Sequence, residues 1–319
     1  MSDGPGDRFE RSETLLLGGP PTLTRRQVVE RAGVEPAFAD RLWNAMGFVS
    51  RGDDEVVFTE ADVDALRAVH TLTESGAIAP EEAIALARIH SQHLAALAEA
   101  EASLAVERAG GAVERIDVTE NLAQVQHLLL YMWHRQLLAS MLRHAATAGQ
   151  GDAGTVGFAD LVGFTSLTRG MQRDALLALV DRFEAETRQR VTEGGGRIVK
   201  TIGDEVMFTV ATPGQGAAIA LDLVDIGNVD GLPPIRVGLA HGDVLLRHGD
   251  VFGEVVNIAA RLVSLARPGT VLVDRNAAQV LEGDGRWELV KLRPRRVRGY
   301  EHLAAHALRR RDGEAPPAA

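Results

Sequence analysis

The spacing of apolar positions changes character near residue 150. Before it, apolar side chains recur at steps of three and four. Leu122, Val125, Leu129, Trp133, Leu137 and Met141 form one helical seam within residues 118–146, and Leu128, Met132 and Leu138 widen it. That face suits a bundle helix and a dimer-forming helix equally. Beyond 150, short apolar runs alternate with helical stretches.

Stop and start signals divide the first part. Residues 1–20 read as a disordered tail. Thr24 is placed to cap a short helix that runs through Ala32 and ends at Gly33, and a second helix is expected over Pro36 to Met46. A small turn or wing follows at Arg51 to Glu55, then Thr59 as the cap of another helix. Pro80 opens a long alanine-rich helix to Arg108, broken by Gly110-Gly111. A helical domain over 21–146, a glycine-rich linker over 147–154, a second domain over 155–310 and a tail over 311–319 are expected.

In the second domain the pattern predicts a strand at 155–162, a helix at 165–193 and a hairpin bending at Gly203-Asp204. A helix at 214–227, a strand at 235–241, a hairpin through Gly249-Asp250 and a helix at 254–266 follow. A strand at 270–274, a short helix from Asn276 and a last hairpin around 286–306 complete it. Strands joined partly by hairpins and partly by helices imply an α+β sheet with helices on one side.

Composition narrows the function classes. The 319 residues contain no cysteine, which excludes thiolate chemistry and disulfides. The polar, acidic N-terminus has no apolar core of a secretory signal, and no apolar stretch approaches a membrane span, so a cytoplasmic protein without a membrane partner is expected. Of the net charge of −10, residues 1–150 carry −9. An acidic first half argues against nucleic acid as a partner.

One charge interrupts the apolar run of 156–161: Asp160. A carboxylate inside a buried strand needs a cation or hydrogen-bond donors. Asp204 follows 44 residues later at a hairpin bend. If the two strands are neighbours, the pair offers hard oxygen ligands suited to Mg²⁺ or Mn²⁺. Gly163-Phe164-Thr165 would set a helix N-terminus beside them, where main-chain N–H groups favour phosphate.

Three segments then stand out together: FADLVGFT (158–165), KTIGDEVMF (200–208) and GDVFGEVVNIAARL (249–262). They resemble the signature segments of the class III nucleotidyl cyclases, over roughly 153–310. The resemblance implies a ferredoxin-like catalytic domain and conversion of ATP to 3′,5′-cyclic AMP and pyrophosphate. It implies two Mg²⁺ or Mn²⁺ ions per active site, with Asp160, Leu161 and Asp204 as the metal positions. Lys200 and Asp250 match the pair that reads adenine, where guanylate-specific members typically carry Glu and Cys. Asn257 and Arg261 match the pair that orients the ribose and stabilises the transition state, and their i,i+4 spacing puts them on one helix face. Phe164 and Thr165 are implied substrate contacts, and Arg298, in the basic run KLRPRRVRGY, is the implied triphosphate ligand. Glu254 stands where many relatives carry Asp. Family sites form between two catalytic domains, so a homodimer is implied, joined also through the N-terminal helices.

The first half is similar to the helix-turn-helix and wing of MerR-like regulators. It is also similar to the helical regulatory domain of a subgroup of actinobacterial adenylate cyclases, several of them pH-responsive. Six of the ten histidines precede residue 150, and His127 and His134 lie seven apart on one helix. Their protonation near neutrality would bias how that helix packs. A guanylate or diguanylate cyclase and a nucleotide-binding regulator without activity are the competing readings.

Overall fold

Thr24 opens the helix Arg25–Ala32 as its chemistry dictates. Its hydroxyl accepts from the Gln27 N–H, its own N–H donates to Gln27 Oε1 at 2.8 Å, and Gly33 ends the helix at φ 72°. The computed structural model describes residues 5–48, 52–119, 121–147, 153–227, 231–247 and 249–311. The chain divides into two units, Met1–Arg143 and His144–Ala319.

The first unit runs α1 (Pro5–Leu16), β1 (Leu23–Thr24), α2 (Arg25–Ala32), α3 (Pro36–Ala45), β2 (Val56–Phe58), α4 (Glu60–Glu74), α5 (Pro80–Arg108) and α6 (Leu122–Thr147). Its core gathers Val28, Val29, Ala39, Leu42, Val63 and Leu66. The two short strands pair antiparallel, Leu23 opposite Phe58, beside the expected wing, whose first residue, Arg51, lies outside the described residues. The expected tail is in part a helix: α1 buries Ser12, whose hydroxyl accepts from the Val118 N–H at 3.3 Å. A polar sequence misled here because its anchor is a hydrogen bond from a segment about a hundred residues away. None of the described residues of α6 is buried, and ten of its large apolar side chains are 37 to 62% exposed. Among the described residues no helix is long and apolar enough to cross a membrane.

The second unit contains β3 (Ala153–Leu161), α7 (Phe164–Thr168), α8 (Arg173–Glu193), β4 (Arg197–Ile202), β5 (Glu205–Val210), α9 (Pro213–Ile226), β6 (Ile235–Asp243), β7 (Leu245–Arg247) and β8 (Asp250–Phe252). It continues with α10 (Glu254–Leu265), β9 (Val271–Val273), α11 (Arg275–Leu281), β10 (Trp287–Lys291), β11 (Arg295–Val297), β12 (Tyr300–Leu303) and β13 (His306–Arg310). Seven strands form one sheet in the order β10-β13-β9-β6-β3-β5-β4, antiparallel except for β6 with β9. The run β6-β3-β5-β4 is the four-stranded ferredoxin-like core. The tail residues 312–319 and most of the expected linker, 148–152, lie outside the described residues.

Helices cover both faces of this sheet, which corrects the expected one-sided arrangement. Phe183 of α8, Ile219 of α9 and Leu281 of α11 join Phe208 and Leu239 in one core. Val255, Ala259 and Val263 of α10 close on Val156, Met207 and Ala240 from the other side. Gly238 permits that approach, since a Cβ there would meet the Val263 nitrogen at 2.3 Å. Alternate residues of β3 and β6 are apolar on both faces, so periodicity alone could not tell one cover from two. Two further expectations change in detail. The helix predicted over 165–193 breaks into α7 and α8 around Gly170 and the extended Gln172. The last hairpin is β10 with β13, and a separate hairpin, β11–β12, is inserted between them.

Candidate active site

Asp160 ends β3 on the face that α10 covers. It stands opposite Glu205 of β5 on one side and Arg236 of β6 on the other. Asp204 lies at the β4–β5 bend, after Gly203 at φ 63°, and its carbonyl accepts from the Leu161 N–H at 3.1 Å. The two aspartates predicted as metal positions are thus brought together. Asp160 is only 8% exposed, and Arg236 reaches its Oδ2 with Nε at 2.6 Å and Nη2 at 2.5 Å. Burial pushes the Asp160 carboxyl above its ordinary range, Arg236 pulls it down, and Asp204 adds to the upward push. Glu205 is raised as well, by burial first and then by the two neighbouring aspartates.

The donor set fits divalent cations. Two carboxylates face each other with hard oxygens and a need for positive charge. Leu161 has a buried apolar side chain, so only its main-chain carbonyl offers a ligand atom. Among the described residues no group of three or more His, Asp or Glu side chains encloses a metal. Arg236 escaped the sequence reading. Its signal was one arginine in the apolar strand 235–240, two residues before the glycine that admits α10.

Phe164 and Thr165 open α7 after Gly163, which adopts φ 77°. The Ser166 and Leu167 N–H groups both return to the Gly163 carbonyl at 3.0 Å, so that turn keeps them for itself. The Phe164 ring packs against the main core, and the Thr165 side chain lies outside the described ones.

A second polar cluster lies between β4 and β8. Lys200 Nζ donates to both oxygens of Asp250, at 2.9 and 2.7 Å. The Val251 N–H also donates to Asp250 Oδ1, at 2.8 Å. Partial burial opposes the charge on Asp250, but the lysine and this N–H outweigh it and hold the carboxyl below its ordinary range. Lys200 and Arg197 favour the charge on Asp250, as Arg236 favours that on Asp160.

α10 turns Val255, Ala259, Leu262 and Val263 inward. Asn257 falls between them, opposite the sheet, and is exposed. Arg261 is half-buried on the same face, and its Nε is buried with no hydrogen-bond partner among the described residues. One chain therefore does not gather the six residues at one point. Asp160 lies on the sheet face that α10 covers and Asp204 at the β4–β5 bend, whereas Asn257 and Arg261 leave from the far side of that helix. Arg298 is exposed at the β11–β12 turn, before Gly299 at φ 88°. Ile202, Leu245, Leu246 and Phe252, on the hairpins that flank Lys200 and Asp250, expose about half of their apolar surface.

Residues 147–310 match the family described as the adenylate and guanylate cyclase catalytic domain. An adenylate cyclase of Glutamicibacter nicotianae is 39% identical, over 96% of this chain and 83% of that one. A pH-sensitive adenylate cyclase of Mycobacterium tuberculosis (strain CDC 1551 / Oshkosh) is 33% identical, over 89% of this chain and 77% of that one. Among solved structures, the catalytic core of a rhodopsin-guanylyl cyclase with converted specificity, in complex with ATPαS, aligns with a TM-score of 0.47 at 22% identity. That alignment covers 51% of this chain and 97% of the other.

Proposed function

Because the chain belongs to the adenylate and guanylate cyclase family, as a class III adenylate cyclase of the actinobacterial type, we propose that it converts ATP to 3′,5′-cyclic AMP and pyrophosphate at sites shared between two copies. The observation that carries this reading is the meeting of Asp160 and Asp204 at the ends of adjacent strands. Two Mg²⁺ or Mn²⁺ ions held there would supply charge neutralisation for the triphosphate and acidify the ribose 3′-hydroxyl. Asp160, Asp204 and the Leu161 carbonyl would hold them. With ions bound, Arg236, which pairs with Asp160 and also donates to the Ser264 carbonyl, would offer its guanidinium to the triphosphate.

Lys200 and Asp250 select adenine. The ammonium donates to ring N1 and the carboxylate accepts from the 6-amino group, a donor and acceptor pattern that guanine does not match. Their mutual hydrogen bonds hold both in place before the base arrives. Asn257 orients the ribose, and Arg261 faces the charge that develops on the transferring phosphorus. Arg298 contacts the β- and γ-phosphates, with Phe164 and Thr165 at the α7 side of the substrate.

The position of Asn257 and Arg261, on the side of α10 away from Asp160, supports a homodimer in which each copy supplies the aspartates of one site and the purine and ribose residues of the other. The apolar side chains exposed around Lys200 and Asp250 support the same arrangement, and the exposed apolar surface of α6 supports a second contact between copies. Histidines on α6, among them His127 and His134, make its packing responsive to pH. Substitution of both by glutamine is expected to flatten the activity profile between pH 5.5 and 8.

The deciding experiment mixes two inactive variants. Asp204→Ala and Arg261→Ala each abolish cyclic AMP formation from MnATP, while their mixture regains about a quarter of the wild-type activity through one intact site per heterodimer. A mixture as silent as its parts would count against the shared site, and full activity of Asp204→Ala alone would count against the metal reading.

A further inference from the structure

β4 is the edge strand of the large sheet, and β7–β8 is a sheet of its own, so among the described residues no main-chain ladder joins the two. Two cationic side chains of β4 bridge them instead. Lys200 holds the Asp250 carboxylate, and Arg197 Nη1 donates to the Gly249 carbonyl at 3.0 Å. Three residues apart on a regular strand, the two would point to opposite faces. The pairing of β4 with β5 skips one residue: Arg197 stands opposite Thr209, Ile198 opposite Phe208 and Lys200 opposite Met207. Val199 is the extra residue of this bulge, and it returns Lys200 to the face that Arg197 already occupies. Ile198 accordingly packs against the core that holds Phe183 and Phe208, whereas Val199 and Met207 join Val251 of β8 on the α10 side.

The two grips differ in what they hold. Lys200 holds a side chain, and reading adenine takes that ammonium to ring N1. Arg197 holds the main chain at Gly249, one residue before Asp250 and at φ 81°, and that bond needs no change when a base arrives. We infer that Arg197 is a specificity-determining positioning residue, which through the Gly249 carbonyl keeps Asp250 in place for the 6-amino group while Lys200 turns to the base. The inference rests on the reading of Lys200 and Asp250 as the pair that selects adenine. The Val251 N–H also anchors the carboxylate, but it belongs to the same hairpin and moves with it. A fixed carboxylate accepts from adenine and repels the 6-oxo group of guanine, and a hairpin free to shift loses both effects. Base recognition is made alike in the ground and transition states, so its loss raises KM and spares kcat.

The test compares MnATP with MnGTP in the full chain. Arg197 is half-buried on an edge strand, and Arg197→Ala is expected to keep the wild-type melting temperature. Its KM for MnATP is expected to rise about tenfold with kcat unchanged, and its preference for ATP over GTP to fall by about the same factor. Arg197→Lys still carries a donor toward the carbonyl and is expected to recover most of that preference. Wild-type KM and preference in Arg197→Ala would overturn the role. So would a fall in kcat and melting temperature with the preference intact, the mark of a merely structural bond. The underlying reading fails separately, by a Lys200→Ala variant that prefers ATP as strongly as the wild type. A lost preference in Lys200→Ala beside an unchanged one in Arg197→Ala overturns the positioning role alone.

Discussion

Arg236 closes on Asp160 from the neighbouring strand, with Nε at 2.6 Å and Nη2 at 2.5 Å from the same carboxylate oxygen. This answers, without a metal, the question of what keeps a carboxylate inside an apolar strand: the sheet supplies its own cation. Because Asp160 is buried and Arg236 half-buried, removing the arginine leaves the carboxylate without its cation. Arg236→Ala is expected to destabilise the metal-free chain by on the order of 3 kcal/mol. Mn²⁺ should then raise the melting temperature of the variant more than that of the wild type, since the ion replaces the missing charge. Equal Mn²⁺ shifts in the two proteins would contradict this.

Glu205 gives a prediction with a definite sign. Burial, then Asp160 and Asp204, raise its carboxyl above the ordinary value of 4.5. A carboxyl raised on folding leaves its full contribution below its unfolded value and loses it as pH rises through the folded one. Glu205→Gln is therefore expected to stabilise the metal-free chain at pH 7, with the gain shrinking on acidification and gone below 4.5. Melting curves between pH 4 and 7 check it, and a gain that grew toward acid would reverse the sign and refute the assignment.

Gly238 tests the seating of α10. A methyl group there would lie 2.3 Å from the Val263 nitrogen and 2.5 Å from the Ala259 carbonyl oxygen, both main-chain atoms with no rotamer to escape into. Gly238→Ala is expected to cost about 3 kcal/mol or more, or to prevent folding. A soluble variant should have lost cyclic AMP formation, because the helix that bears Asn257 and Arg261 has been lifted. Wild-type melting and activity together would show that the contact is looser.

The chain's lack of cysteine makes the α6 contact measurable. Leu137→Cys introduces the only thiol, on an exposed apolar position of that helix. Under mild oxidation it is expected to give a disulfide-linked dimer, whereas a cysteine at exposed Gly283, at the end of α11, should remain monomeric on a denaturing gel. Equal cross-linking of both would point to random collision.

Much of this protein is determined by sequence alone. Local rules act over a few residues, so the Thr24 cap, the Gly33 stop, the Pro80–Arg108 helix and the bend at Gly203-Asp204 were legible. Motif order was legible too, because the three signature segments each lie within fifteen residues. Tertiary structure decided what joins residues far apart. It brought Arg236 to Asp160 across 76 positions and Lys200 to Asp250 across 50, anchored α1 through Ser12, and put α10 on the second face of the sheet. It also set the Tyr300 hairpin against α10, where the sequence showed only a run of arginines. Such pairings depend on strand order and register, and neither is encoded in the spacing of any one segment.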